Sequence, residues 1–469
     1  MASRISSFLR CILYIYSFSA LLCLHAHEAT HTVQVSWLIP STTCNASTKG
    51  PKGETSLTVI HKYGPCFQSN KEQVQVLNHT EILLQDQSRV NSIHSMFSKN
   101  SDGNKLRESQ ATTIPAKSGV SIGFGNYIVT VGLGTPKTDQ TLAFDTGSDL
   151  TWAQCKPCAV QCYKQVDPIF DPSKSTSYTN ISCPTPLCAQ LTSARGSQQP
   201  CSNSKCLYGV HYGDNSSTKG YFSKERLTIT SDVVDNFVFG CGQDNKGLFN
   251  GIAGLLGLGR GQVSLVQQAA QKYSQFFSYC LPSTTSSTGY LTLGQGNEIS
   301  SSLKFTPMLT LSQRSFYGLN LIGISVGGQK LSIPTSVFSI AGTIIDSGTV
   351  ITRLPPTAYS ALRTKFREMM RNYPMISSSS STFDTCYDLS KSRSVSIPRI
   401  SFFFGGDVSV DLGEVGILYV LRQTEACLAF AGNRDPGNIT IFGNEQQKRL
   451  EVVYDVAGER IGFRPGGCS

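Results

Sequence analysis

The chain has 469 residues, 39% of them hydrophobic and 15% charged, with 42 glycines, 20 prolines and 16 cysteines. That length exceeds one small core and suits a two-lobed body with something removable in front. The low charge and the glycine and proline content exclude a coiled coil or a charged disordered chain and favour turn-rich β structure, and the formal net charge of +9 is mild and forms no acidic or basic tail.

Arg4 and Arg10 precede an uncharged, mostly apolar stretch from Cys11 to Ala26, shorter than the roughly 20 residues a spanning helix needs. It reads as a signal peptide over 1–27, in preference to a transit peptide or an uncleaved anchor, with the cut near Ala26 or Ala29. No later segment is long and apolar enough to span a bilayer, so the mature chain is expected to be soluble, without stable membrane insertion. Export also explains the cysteines, which then belong to an oxidising compartment.

Residues 28–114 are polar and uneven in pattern. Within them Leu83, Val90, Ile93 and Phe97 recur at helical spacing, with Gln85, Asp86, Arg89 and Asn91 assigned largely to the opposite side. An amphipathic helix must cover something, and the segment is read as a propeptide docked on the body rather than an independent binding domain. Cys44 and Cys66 remain in it as a candidate pair.

From Asn126 onward, short β-branched and apolar runs alternate with glycine: YIVTVGLG, TLAFDTGS, RLTIT, FVFGCG, YLTLG, FYGLNLIGISVGG, GTIIDSGT, ISFFF, ITIFGN and LEVVYD. They predict an all-β body with few short helices, chiefly Ser264–Tyr273 and Tyr359–Tyr373. TLAFDTGS at 141–148 and GTIIDSGT at 342–349 each place an aspartate after an apolar strand. Each is followed about a hundred residues later by an apolar-apolar-glycine run, GLLGLG at 254–259 and TIFG at 440–443. The duplication predicts two related lobes, 115–305 and 306–469, with a cleft between them. Arg363, Lys365, Arg367 and Arg371 cluster in the second helical segment and read as a solvated helix face in preference to a nucleic-acid patch.

Six of the seven histidines lie at or before His94, which leaves His211 as the sole candidate in the body for a Ser/His/Asp or Cys/His site. It has no partnering motif. Cys155, Cys158 and Cys162 have ligand-like spacing, but export would oxidise them, and the twelve cysteines from Cys155 onward allow six bridges. The run GLLGLGRG at 254–261 lacks the spacing of a dinucleotide loop and the lysine of a phosphate-binding one. No cofactor and no metal is called for.

What remains is Asp145 and Asp346, 201 positions apart, each opening an Asp-Thr/Ser-Gly triplet. Two carboxyl groups held about 3 Å apart cannot both ionise, so acid and base coexist in one pair. The charged member can take a proton from a water while the protonated member hydrogen-bonds the scissile carbonyl. Gly147 and Gly348 let backbone approach closely, and Thr146 and Ser347 can hydrogen-bond across the lobe junction.

On these motifs the chain resembles the pepsin-like aspartic proteases, within the plant nepenthesin-like group, its texture nearest the chloroplast-nucleoid DNA-binding protease and its relatives. The resemblance covers about residues 115–469, and HKYGPC at 61–66 with LLQDQSRVNSIHS at 83–95 resemble that group's propeptide. It implies a bilobal double barrel with a pseudo-twofold axis and a central cleft. It also implies Asp145 and Asp346 as catalytic dyad, Ser148 and Thr349 bonding their outer oxygens, a flap hairpin at 212–220, Tyr212 with Gly213 as flap residues, and Trp152 as the partner of Tyr212. The stretch Cys155–Cys206 matches that group's insertion, and Cys386 with Cys427 the wider family's second-lobe bridge.

The implied activity is an endopeptidase acting at acidic pH on proteins or peptides, exported as a zymogen that binds its own propeptide and works as a monomer. Export to the apoplast is expected, with chloroplast or vacuole as alternatives, and the nearest resemblance raises DNA as an added partner. A binding protein without catalysis, as in the related xylanase inhibitors, is the competing reading, and there the triplets are damaged. Asn215 replaces a glycine usual in the flap and forms a sequon, alongside Asn45, Asn78, Asn180 and Asn438.

Overall fold

The computed structural model describes residues 29–47, 50, 55–67, 78–98, 120–121, 126–193, 201–212, 216–247, 249, 251–295, 302–422 and 424–468. The expected signal peptide and the flap tip with Gly213 and Asn215 lie outside the described residues.

Three elements of the leading segment matter here: strand β1 (Thr30–Gln34), strand β2 (Ser56–His61) and helix α1 (His79–Ser98). In the first half of the body β3 (Tyr127–Leu133) and β4 (Thr138–Asp145) form a hairpin, β5 (Trp152–Gln154) follows, and β6 (Lys205–Tyr212) and β7 (Ser217–Ile229) make the flap arms. Next come β8 (Gly254–Gly257) and β9 (Gly289–Leu293). The second half holds β10 (Thr343–Ile345), β11 (Thr352–Leu354), helix α2 (Pro356–Met369), β12 (Ser394–Pro398) and β13 (Thr440–Phe442).

The sequence repeat becomes the same parallel pairing in each half. β4 runs parallel to β8, with Asp145 opposite Gly257, and β10 runs parallel to β13, with Ile345 opposite Phe442. Both strand ends are pinned by backbone bonds, Leu258 N to Asp145 O at 2.9 Å and Asp346 N to Phe442 O at 3.1 Å. Parallel strands buried on both faces require the apolar runs seen there, and Leu142, Ala143, Phe144, Ile344 and Ile345 have no exposed surface. A single sheet continues between the halves, where Phe276–Cys280 pairs with Leu450–Asp455.

The leading segment is woven into this body. β2 lies between β9 (Val59 opposite Gly289) and β3 (Ile60 opposite Ile128), and β1 adds to β12. The alternating burial of Ser-Leu-Thr-Val-Ile-His, with Leu57 and Val59 inside, is what a strand covering a core needs.

The expected helix at Ser264–Tyr273 is two four-residue helices, Leu265–Gln268 and Ala270–Tyr273, because Ala269 leaves helical geometry at φ −99°, ψ 16°. The expected helix at Tyr359–Tyr373 is α2, which starts earlier because Pro356 presets the first helical turn. Its basic residues are laced into ion pairs, Arg363 and Arg367 with Asp384 and Lys365 with Glu368.

All twelve cysteines from Cys155 onward pair as six bridges, including Cys386–Cys427, and Cys44 bonds Cys66. The cysteine-rich stretch is not closed on itself: Cys155 reaches Cys241, since β5 runs alongside Asp232–Lys246. Among the described residues, no helix is long and apolar enough to cross a membrane.

Candidate active site

Asp145 and Asp346 come from matching loops and meet under helix α1. Thr146 N donates to Ser347 Oγ at 3.1 Å and Ser347 N to Thr146 Oγ1 at 2.9 Å, a reciprocal pair that ties the two loops together. Gly147 N donates to Asp145 Oδ1 at 2.9 Å and Gly348 N to Asp346 Oδ1 at 3.2 Å. Ser148 Oγ and Thr349 Oγ1 each donate to the Oδ2 of their aspartate at 2.5 Å. A Cβ on Gly147 would lie 2.8 Å from Asp346 Oδ1, so a larger residue there would push the loops apart.

A cation from the leading segment occupies the space between the carboxyls. Arg89 Nη2 lies 2.7 Å from Asp145 Oδ1 and 2.7 Å from Asp346 Oδ1, so the two Oδ1 atoms are within twice that distance of each other. Arg89 Nε donates to Asp346 Oδ2 at 2.9 Å and Nη1 to Asp145 Oδ2 at 3.2 Å. All three side chains are essentially inaccessible.

Burial disfavours charge on Arg89, but the two carboxylates hold it protonated above its ordinary range. Burial also raises the carboxyl of Asp145, opposed by Arg89 and reinforced by the charge of Asp346. For Asp346 burial acts the same way, yet Arg89, Thr349 and the Gly348 N–H outweigh it and hold the carboxyl below its ordinary value.

One turn earlier on α1, Asp86 is also buried. Its carboxylate accepts from Val350 N at 2.6 Å, Ile351 N at 3.4 Å and Arg353 Nη2 at 2.9 Å. Burial raises this carboxyl, against the pull of Arg353 and the two N–H groups. The sequence expectation that Asp86 and Arg89 lie on the open side of α1 is therefore corrected: both belong to the buried set with Leu83, Val90 and Ile93. At about 100° per residue these five positions fall on one face, and their polarity is answered by charges from the body rather than by solvent.

The flap arms pair with His211 opposite Ser217, and Tyr212 N donates to Ser216 O at 2.7 Å. Trp152 Nε1 donates to Tyr212 Oη at 2.7 Å, and the edge of Phe249 packs against Trp152. His211 is exposed on a flap arm. A further acid that the sequence reading missed is Asp149, which accepts from Gly261 N at 2.8 Å and Ser315 Oγ at 2.5 Å and so bonds one half to the other.

Two regions resemble binding sites without sharing this chemistry. Among the described residues Cys386, Glu425 and Cys427 lie within metal-ligating distance, but the two sulfurs are bonded to each other and offer no thiolate. A cavity of about 230 Å³ lies between leading segment and body, lined in part by Leu38, His61, His79, Tyr419, Glu445 and Lys448. It is separate from the carboxyl pair, which Arg89 seals.

Residues 127–295 match the family described as Xylanase inhibitor N-terminal and residues 316–465 the one described as Xylanase inhibitor C-terminal. An aspartyl protease family protein of Arabidopsis thaliana is 54% identical over 444 residues, covering 94% of this chain and 93% of its own length. The chain belongs to the plant aspartyl protease family. Aspartyl protease AED1 of the same plant is 49% identical, covering 94% and 92% of the two chains, and Aspartic proteinase nepenthesin-2 of Nepenthes gracilis is 39% identical, covering 74% and 79%. Among solved structures, edgp superposes with a TM-score of 0.59 at 22% identity, covering 72% of this chain and 91% of the other, and soybean Basic 7S globulin with 0.57 at 20%, covering 73% and 93%. These two show the fold of this family member, a pepsin-like architecture.

Proposed function

We propose that this aspartyl protease family member is an aspartic endopeptidase made as a secreted zymogen, in which residues 28–114 hold the active site shut until they are removed. The observation that carries the reading is the sharing of one guanidinium by two equivalent carboxyls, each seated in a complete Asp-Thr/Ser-Gly triplet.

With Arg89 gone, two buried carboxyls facing each other across one site share one proton. The ionised one takes a proton from a water held between them while the other donates its hydrogen bond to the substrate carbonyl. The water oxygen adds to the carbonyl carbon, giving a tetrahedral diol. Transfer of a proton to the amide nitrogen then lets the C–N bond break. Ser148, Thr349 and the Gly147 and Gly348 N–H groups fix the carboxyl orientations, and Trp152 holds Tyr212 over the site.

The seven disulfides among the described residues fit an exported chain. Protein or peptide substrates, the chain's own leading segment as inhibitor and a monomeric working form complete the proposal. The xylanase-inhibitor family descriptions favour a second reading, a binding protein on the same scaffold, but both triplets are intact. The test is exposure of the processed chain to a peptide library at pH 3–6, with and without a statine peptide. Cleavage abolished by the statine supports the protease, and no cleavage together with no statine binding supports the binding protein.

A further inference from the structure

Arg89 accounts for the blocked carboxyls, but Asp86 occupies a second built site that the chemistry above does not use. Val350 and Ile351 follow Thr349, the residue after the second triplet, and Arg353 lies two positions further on strand β11. Their two N–H groups and one guanidinium converge on a single carboxylate. The Arg353 side chain is 2% exposed. Its hydrogen bonds are to Ile351 O at 2.9 Å from the body, and to Asp86 and Gln87 Oε1 from α1.

Removal of α1 therefore strips this guanidinium of its only carboxylate among the described residues, and frees two N–H groups beside it. A guanidinium left in a sheltered site with the Ile351 carbonyl but no counter-charge is costly. A carboxylate arriving there recovers charge-assisted hydrogen bonds. The place is within reach of substrate: Asp86 and Arg89 are three residues apart on one helix, about 4.5 Å along its axis, and Arg89 sits where the scissile bond would lie.

Resting on the protease reading, we propose that Val350 N, Ile351 N and Arg353 form an anion-binding subsite of the mature cleft, which Asp86 fills in the full chain and an acidic side chain of the substrate fills during turnover. Arg353 is thus a specificity-determining residue. Asp86 acts as an internal copy of the preferred substrate carboxylate, so helix α1 blocks the cleft by matching both of its charged features. The neighbouring apolar surface of Phe383, Tyr419 and Leu421, covered by Ile82 and Leu83, would pack the substrate residues beside the acid.

The test uses the processed chain and peptides that differ only by Glu or Gln at one position, scanned on both sides of the cleaved bond. At one position the Glu peptide is expected to exceed the Gln peptide in kcat/KM by about tenfold or more near pH 6. The ratio should fall toward one as pH drops through the ordinary glutamate value of about 4.3. That readout needs no variant. Arg353→Gln should erase the ratio and Arg353→Lys keep part of it. A wild-type chain that cleaves the peptides with no acidic preference, or a preference that survives Arg353→Gln, overturns the subsite. Absence of any cleavage overturns the protease reading and the subsite with it.

Discussion

Acid should loosen the leading segment, and His94 is the group whose share can be worked out. It lies on α1, with Nε2 3.2 Å from Ile439 O. Burial lowers its pKa from 6.5 to about 4, helped by the charge of Arg353 and opposed by the bond to Ile439. A histidine whose value is depressed in the docked state favours docking fully above pH 6.5 and loses that contribution as pH falls toward 4. A tenfold change in proton affinity is worth about 1.4 kcal/mol, so the whole window contributes at most about 3.5 kcal/mol, or roughly 300-fold in docking.

His61 and His79, also on the leading segment, are lowered chiefly by burial and act with the same sign. The depressed Asp346 does too, losing its contribution at lower pH. Asp86 and Glu445 are raised chiefly by burial and oppose the trend, whereas at Asp145 burial raises the carboxyl but the docked Arg89 lowers it, so its protonation also weakens docking. The assay is pulsed hydrogen exchange of residues 79–98 in the full chain between pH 7 and 3.5, for wild type and His94→Gln, which keeps a donor but cannot gain the charge. Wild type should open on acidification, and the variant should open at lower pH. Identical pH profiles, or opening as pH rises, would refute the reasoning.

Arg89→Met leaves two buried carboxyls without their cation, and breaking such a pair costs about 3–5 kcal/mol; the full chain should then open, and bind a statine peptide, at higher pH than wild type. Trp152→Phe removes the donor to Tyr212 Oη; kcat/KM should fall while thermal unfolding shifts by no more than the roughly 1–3 kcal/mol of an unsatisfied buried group. Cys468→Ser opens the bridge to Cys280, which spans 188 positions, and calorimetry should show a loss of about 2–5 kcal/mol.

The strands and the duplicated triplets were legible because each apolar run ends in a turn residue and the same pattern occurs twice. Asp145, Asp346, Thr146 and Ser347 followed from that symmetry, and the structure brings them together. Arg89 was hidden because its partners lie 56 and 257 positions away, and a charged residue within an amphipathic helix looks solvated until an opposing charge is known. Its angle on the helix, within about 40° of the apolar Ile93 one turn on, was the available signal. The same holds for Asp86, whose partner Arg353 is a lone charge in a buried strand. The weave of β2 into the body sheet was also hidden, since strand pairing across more than two hundred positions leaves no local trace.

The most direct test is turnover by the processed chain carrying Asp346→Asn, measured on a cleavable peptide from pH 3 to 6 beside its thermal unfolding. The account predicts loss of cleavage at every pH with the fold retained, because an amide cannot share the proton that Asp145 requires. Cleavage at the wild-type rate would contradict it.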